Sequence, residues 1–241
     1  MTVDAPTLAR QPLWRRALAE FLGSGLLVTV VVGSGIAAQR LSTDAGLQLL
    51  ENAIATALGL GVLILLFAPV SEAHFNPVVS LADYTLGRRD RAGLTAPALV
   101  VYLVAQVAGA ICGSILANTM FATPTTISTT DRATLATFLA EIVATAGLVL
   151  LIIGLSRTRR SVPAIATAVG AYIGAAYWFT SSTSFANPAV TIGRIFTDTF
   201  AGIAPSSALP FIAAQLIGAA IGAGLGILFF SAVSRTAIRK K

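Results

Sequence analysis

The sequence predicts an all-α membrane protein: six transmembrane helices plus two re-entrant half-helices, arranged as an inverted repeat. Three observations carry that reading. Of 241 residues, 56% are hydrophobic and 11% charged, and the mean hydropathy of +0.83 is far above that of a soluble domain. Six apolar runs are each long enough to cross a hydrocarbon core about 30 Å thick. Between the second and third runs, and again between the fifth and sixth, an Asn-Pro pair opens a segment too short to cross, in Ala73-His74-Phe75-Asn76-Pro77-Val78 and in Phe185-Ala186-Asn187-Pro188-Ala189.

Taken in chain order, residues 1–15 are polar, carry Arg10, Pro12 and Arg15, and read as a cytoplasmic tail. The run 16–38 has no evident cleavage site and reads as a retained first span. The second span is 49–70. Asn76 then starts a helix, because its side chain caps exposed backbone N–H groups and Pro77 loses nothing at the first helical position. That helix, 76–87, is roughly a dozen residues and covers about half of the core at about 1.5 Å per residue. Spans three, four and five are 95–118, 135–155 and 163–182. Asn187 and Pro188 start the second half-helix, 187–198, and the sixth span is 209–234. Residues 235–241 form a basic cytoplasmic tail. A single channel domain therefore covers 16–234, with repeats about 16–118 and 135–234.

The repeat shows in the residues themselves. Leu18-Ala19-Glu20 returns as Leu139-Ala140-Glu141, and Ala105-Gln106-Val107-Ala108-Gly109-Ala110 as Ala214-Gln215-Leu216-Ile217-Gly218-Ala219, with the Asn-Pro pairs between. Three spans per repeat is an odd number, so the second copy enters from the opposite side and the two loops dip from opposite faces. Non-helical backbone survives at membrane depth only when buried in protein or lining a water-filled cavity. An aqueous pore supplies that cavity. Two half-helix N-termini aimed at one spot raise a positive potential that opposes cations and protons, while neutral small polar solutes pass.

Charge placement gives orientation. The net charge of +6 sits in short clusters between apolar runs, not on one polar face, which argues against a nucleic-acid partner. Thirteen of the sixteen Lys and Arg residues fall on one side; Arg40, Arg132 and Arg194 fall on the other. Both termini are therefore expected in the cytoplasm, in a multi-pass protein of the plasma (inner) membrane. The lone Cys112 permits no intrachain disulfide and reads as a small packing residue. With no nucleophile–base pair, metal-ligand cluster or phosphate-binding glycine loop, neither an enzyme, a cofactor nor a metal is expected.

These residues resemble the major intrinsic proteins, the aquaporins and aquaglyceroporins, over nearly the whole chain. The likeness rests on both Asn-Pro motifs, on Ala73-His74-Phe75, on Glu20 and Glu141, and on Gln106 and Gln215, all at family-like spacing. It implies that Asn76 and Asn187 offer side-chain N–H groups to a solute at mid-membrane. Loop carbonyls around His74, Phe75, Phe185 and Ala186 would accept from it, Glu20 and Glu141 would hold the re-entrant loops, and four protomers would assemble in the bilayer.

Departures from the family pattern bear on the solute. Val190 stands where the usual Arg follows the second motif, leaving a wider, more apolar filter. Gapless counting from Asn187 puts Ala175 and Ser184 at two other filter positions; for the fourth, Leu58 and Thr56 both remain open. Arg194 either replaces the missing charge in part or pairs with Asp198 at i,i+4; the pair is preferred, leaving the narrow zone uncharged. Val78, where the family has Ala, reads as a packing adjustment, and Glu72, where Gly is common, as a solvated loop acid rather than a gate. His74 reads as a buried imidazole fixing loop carbonyls. Gln106 and Gln215 read as glue between spans, and Gly218 and Gly222 as a close-packing seam.

The expected function is a passive channel for water and small uncharged solutes: glycerol-like polyols and neutral metalloid hydroxides such as arsenite. The alternative is an ion- or proton-coupled secondary transporter, since inverted repeats and broken helices occur there too. A third reading, an adhesive role with a closed pore, predicts no osmotic permeability.

Overall fold

The structure, a computed structural model, describes residues 11–90 and 93–230, the side chains of residues 89 and 90 excepted. Arg10, Arg91, Arg235, Arg239, Lys240 and Lys241, which helped to set the orientation, lie outside the described residues, as does the side chain of Arg89. Among the described residues eight α-helices follow in order: α1 Leu13–Leu41, α2 Ala45–Ser71, α3 Pro77–Asp90, α4 Ala96–Met120, α5 Leu135–Arg157, α6 Val162–Phe179, α7 Pro188–Gly193 and α8 Pro205–Phe230. Six of them, all but α3 and α7, are long and apolar enough to cross a membrane. The protein is an integral multi-pass membrane protein.

Caps explain several boundaries. Asp44 Oδ1 accepts from the Leu47 N–H at 2.7 Å, so α2 begins several residues before the apolar run does. Thr134 and Thr137 form a reciprocal capping box at the start of α5. Asn187 Oδ1 accepts from the N–H groups of Ala189 at 2.9 Å and Val190 at 3.3 Å, with Pro188 at the first helical position.

The main contacts pair α1 with α4 and α5 with α8, the same pairing in each repeat, and α2 packs on α6 across the halves. Glycine makes this possible. A Cβ on Gly109 or Gly113 of α4 would stand 2.1 Å from the Phe21 or Gly25 carbonyl oxygen of α1. On α8, a Cβ on Gly218 or Gly222 would stand 2.5 or 2.4 Å from the Ile142 or Ala146 carbonyl oxygen of α5, so the expected seam has a twin. Apolar side chains cover the outside, Leu58, Val62, Val104 and Phe229 among them, as lipid requires.

Two expectations are corrected here. The second half-helix does not run to 198: α7 ends at Gly193 and gives way to a 3-10 turn, Arg194–Phe196. The end of α4 and the α4–α5 loop take up its later carbonyls, Ser128 N–H bonding Ile195 O at 2.8 Å and Asn118 Nδ2 bonding Phe196 O at 2.9 Å. Cys112 is exposed on the outer face of α4 rather than packed inside. Val78 adds its bulk against Val149, Ile153 and Ala219 of α5 and α8.

Candidate functional site

The site begins as strained backbone. Three residues before each Asn have positive φ: Glu72 (71°), Ala73 (52°) and Phe75 (49°), then Thr183 (61°), Ser184 (52°) and Ala186 (46°). Non-glycine residues in this region cost of order 1–3 kcal/mol each, so the surroundings must hold them. The holders are Glu20 and Glu141. Glu20 receives the N–H groups of His74 at 3.0 Å and Phe75 at 2.7 Å, the Ser71 hydroxyl at 2.6 Å and Gln106 Nε2 at 2.7 Å. Glu141 receives the N–H groups of Phe185 at 2.9 Å and Ala186 at 2.8 Å, together with Gln215 Nε2 at 2.7 Å. The glutamines brace the half-helices as well, Gln106 reaching Ser80 of α3 and Gln215 reaching Thr191 of α7, each at 2.9 Å.

The two loops are stitched to one another at the centre. Asn76 Nδ2 donates to the Ala186 carbonyl at 2.8 Å, and Asn187 Nδ2 donates to the Phe75 carbonyl at 2.7 Å. Each amide nitrogen carries two N–H bonds, so each asparagine keeps a second N–H beyond this contact. The Phe75 and Ala186 carbonyls each accept one of these bonds, which leaves a second lone pair on each oxygen. Pro77, Pro188, Val78 and Ala189 start the half-helices without lining the cavity.

One continuous cavity of about 610 Å³ runs past these groups. Asn76 and Asn187 line its middle along with His74, Phe75, Phe185 and Ala186. Thr56, Tyr177, Ser184, Val190 and Arg194 line it beyond Asn187. Of the two α2 candidates, Thr56 is buried and bonds Tyr177 Oη at 3.1 Å, whereas Leu58 is 67% exposed on the outer face. Ala175 is also exposed and does not line the cavity; Ile173 and Tyr177 do so from α6. The error has a simple cause. Gapless counting mistook the register of the 180–187 loop by two residues, and two residues on a helix turn a side chain through about 200°.

Arg194 overturns a further expectation. It does not pair with Asp198, whose carboxylate accepts from the Thr129 N–H at 2.9 Å and from the Ser128 and Thr129 hydroxyls. Arg194 is instead 2% exposed, with Nε donating to the Ala201 carbonyl and its guanidinium 3.5 Å from the centroid of the Phe185 ring. The cavity lining beyond Asn187 therefore contains a cation, four residues from the position where the family carries one. Behind it Arg132, which sequence reasoning passed over, donates to the Gly202 and Phe200 carbonyls at 2.6 and 2.7 Å and approaches the same ring at 5.6 Å. Only the fold brings residue 132 to residue 185. His74 also differs in detail: its Nδ1 lies 3.0 Å from Ser80 Oγ of α3, so it steadies the half-helix rather than a loop carbonyl.

Two half-helices meeting inside an inverted repeat, with a continuous cavity past their N-termini, define a membrane channel. Residues 7–178 match the family model described as major intrinsic protein. The aquaglyceroporin AqpS of Rhizobium meliloti (strain 1021) is 50% identical over 209 residues, 86% of either chain. A glycerol uptake facilitator protein of Pseudomonas aeruginosa is 39% identical over 121 residues, 50% of this chain and 40% of its own. In fold, the chain is similar to the X-ray structure of the aquaglyceroporin from Plasmodium falciparum, with a TM-score of 0.68 at 20% identity over 92% of this chain and 97% of that one. The chain belongs to the major intrinsic protein family. It is a passive channel for small solutes and not an enzyme.

Proposed function

We propose that the channel conducts water, glycerol-like polyols and neutral metalloid hydroxides such as arsenite. The observation that carries this is the make-up of the narrow zone: Val190 presents an isopropyl group at the second motif, and the nearest guanidinium is that of Arg194, stacked on Phe185. An apolar wall on one side and hydrogen-bonding groups on the other suit a solute with a carbon or metalloid face and hydroxyls. Asn76 and Asn187 serve as the central donors, with Thr56, Ser184, Val190 and Arg194 as the filter. The proposal extends to placement: residues 16–234 act as one channel unit, four protomers assemble in the plasma (inner) membrane, and both termini face the cytoplasm, as the Lys and Arg distribution favours.

Stopped-flow light scattering on proteoliposomes tests the reading. Water, glycerol and arsenite should all accelerate volume change in the native channel. Val190→Arg should cut glycerol and arsenite flux about tenfold or more, equivalent to about 1.4 kcal/mol of added barrier, and spare water more. Water flux without either solute in the native protein would refute the substrate assignment.

A further inference from the structure

At the end of the cavity away from Arg194, three ligand-bearing side chains converge. Glu72 caps the C-terminus of α2, His74 lies in the loop and Asp83 lies on α3; one ligand atom from each falls within 4.8 Å of the others, and all three line the cavity. Spacing alone conceals the cluster. The chain dips to mid-membrane at Asn76 and α3 climbs back to the face it left, which returns Asp83 to the level of Glu72.

His74 is the fixed member. Its side chain is only 7% exposed, Nδ1 is held by Ser80 Oγ, and its ring meets Tyr102 edge-on at 5.6 Å between centroids. Nε2 is thereby aimed at the carboxylates, 3.9 Å from Glu72 Oε2, too far for a hydrogen bond. Two ligands on one tetrahedral ion, at metal–ligand lengths of about 2.0–2.2 Å, stand about 3.3–3.5 Å apart, so a small movement of the half-exposed Glu72 closes its 3.9 Å distance to His74. Asp83 is steadied by the Leu94 N–H on Oδ2 at 2.8 Å. Arg157, also in the lining, donates to the Phe230 carbonyl at 3.1 Å.

We infer that Glu72, His74 and Asp83 bind one divalent transition ion of the zinc type, and that the bound ion narrows this mouth of the cavity. One imidazole with two carboxylates suits Zn²⁺ or Co²⁺ better than Ca²⁺ or Mg²⁺, which prefer oxygen alone. Ser80 orients the imidazole from behind, as a hydrogen-bond partner of a ligating histidine does. The ion ties the strained loop to α3 and draws Glu72 across the opening.

The test uses the full-length protein in detergent, titrated with Zn²⁺ by calorimetry and with Co²⁺ by visible absorption. The native protein should bind one equivalent, with a cobalt spectrum of low coordination number. Glu72→Gln and Asp83→Asn, which keep shape and leave His74 and the loop intact, should each weaken binding about tenfold or more. In proteoliposomes, saturating Zn²⁺ should slow glycerol flux in the native channel and not in the two variants. Absence of one-to-one binding, or variants that bind as tightly as the native protein, overturns the site; binding without slowed flux overturns the narrowing. The flux arm rests on the proposed conduction of glycerol, whereas the binding arm does not. Native vesicles impermeable to glycerol even without zinc would therefore count against that reading, while calorimetry still decides the site.

Discussion

At Glu141, three donors converge on one carboxyl group inside a membrane, and two of them are backbone N–H groups of a loop that has no other way to satisfy them. Leaving a buried donor unpaired costs about 1–3 kcal/mol. Glu141→Leu should therefore strip the 182–187 loop of several kcal/mol, lower the thermal transition in detergent sharply and abolish flux; an unchanged transition would contradict the bracing role. Arg194 is tested separately. Its guanidinium is the charge nearest Val190, so Arg194→Leu should raise ammonium and proton leak through liposomes while glycerol flux holds or rises. A leak equal to that of the native channel would show that the half-helix termini alone exclude cations. Asn76, Asn187, Glu20 and Glu141 were legible as site residues because the repeat states each of them twice. Tyr177 was not, and for Arg194 the sequence left two readings and favoured the wrong one, since the burial of both depends on the loop 180–187 and on the turn after Gly193.

Helix ends and helix seams account for the next level. α3 and α7 reach about 21 Å and about 9 Å, and the 3-10 turn adds about 6 Å, so together they span a core about 30 Å thick despite their unequal lengths. Their junction depends on how closely α1–α4 and α5–α8 approach. Gly222→Val should force α8 from α5, because its Cβ would meet the Ala146 carbonyl oxygen at 2.4 Å, backbone that has no room to yield. Such overpacking typically costs about 1–3 kcal/mol, and a thermal transition lowered by several degrees is the expected reading. The α4–α5 loop gives a pH prediction. Hydrogen bonds from the Thr129 N–H and then its hydroxyl hold Asp198 below the usual carboxylate range, and the Ser207 hydroxyl and Ala133 N–H do the same for Asp131. A lowered folded-state value means stability that is complete above the unfolded value of about 3.9 and is lost as pH falls through the lower folded one. Protection factors at Thr129 and Ala133, exchange measured against the intrinsic rate at each pH, should therefore hold from about pH 5 upward and fall below about pH 4. A fall between pH 6 and 5 would point to another group.

For the whole molecule, the inverted repeat ties fold to function. Both copies use the same parts, yet they are not equal: Glu72, His74 and Asp83 gather at one mouth, Arg194, Tyr177 and Ser184 at the other. A channel that admits neutral solutes in either direction can thus present different chemistry to its two faces. The exposed apolar side chains, Leu58, Val62 and Leu66 along α2 among them, need lipid or neighbouring protomers as cover. Native mass spectrometry from mild detergent should record four protomers, and a monomer as the dominant species would refute the assembly proposed above.

Composition, hydrophobic length and repetition were enough to place six spans, two half-helices and the paired asparagines, because lipid demands long apolar helices and Asn-Pro is a strong local helix start. The lining of the narrow zone was decided by tertiary structure alone. Whether Thr56 or Leu58, or Tyr177 or Ala175, faces the cavity turns on about 200° of helix rotation, which local sequence does not encode and packing does. The cation at Arg194 follows the same rule: a short α7 and the carbonyl of Ala201 carry it into the site, and neither is written in the residues around it.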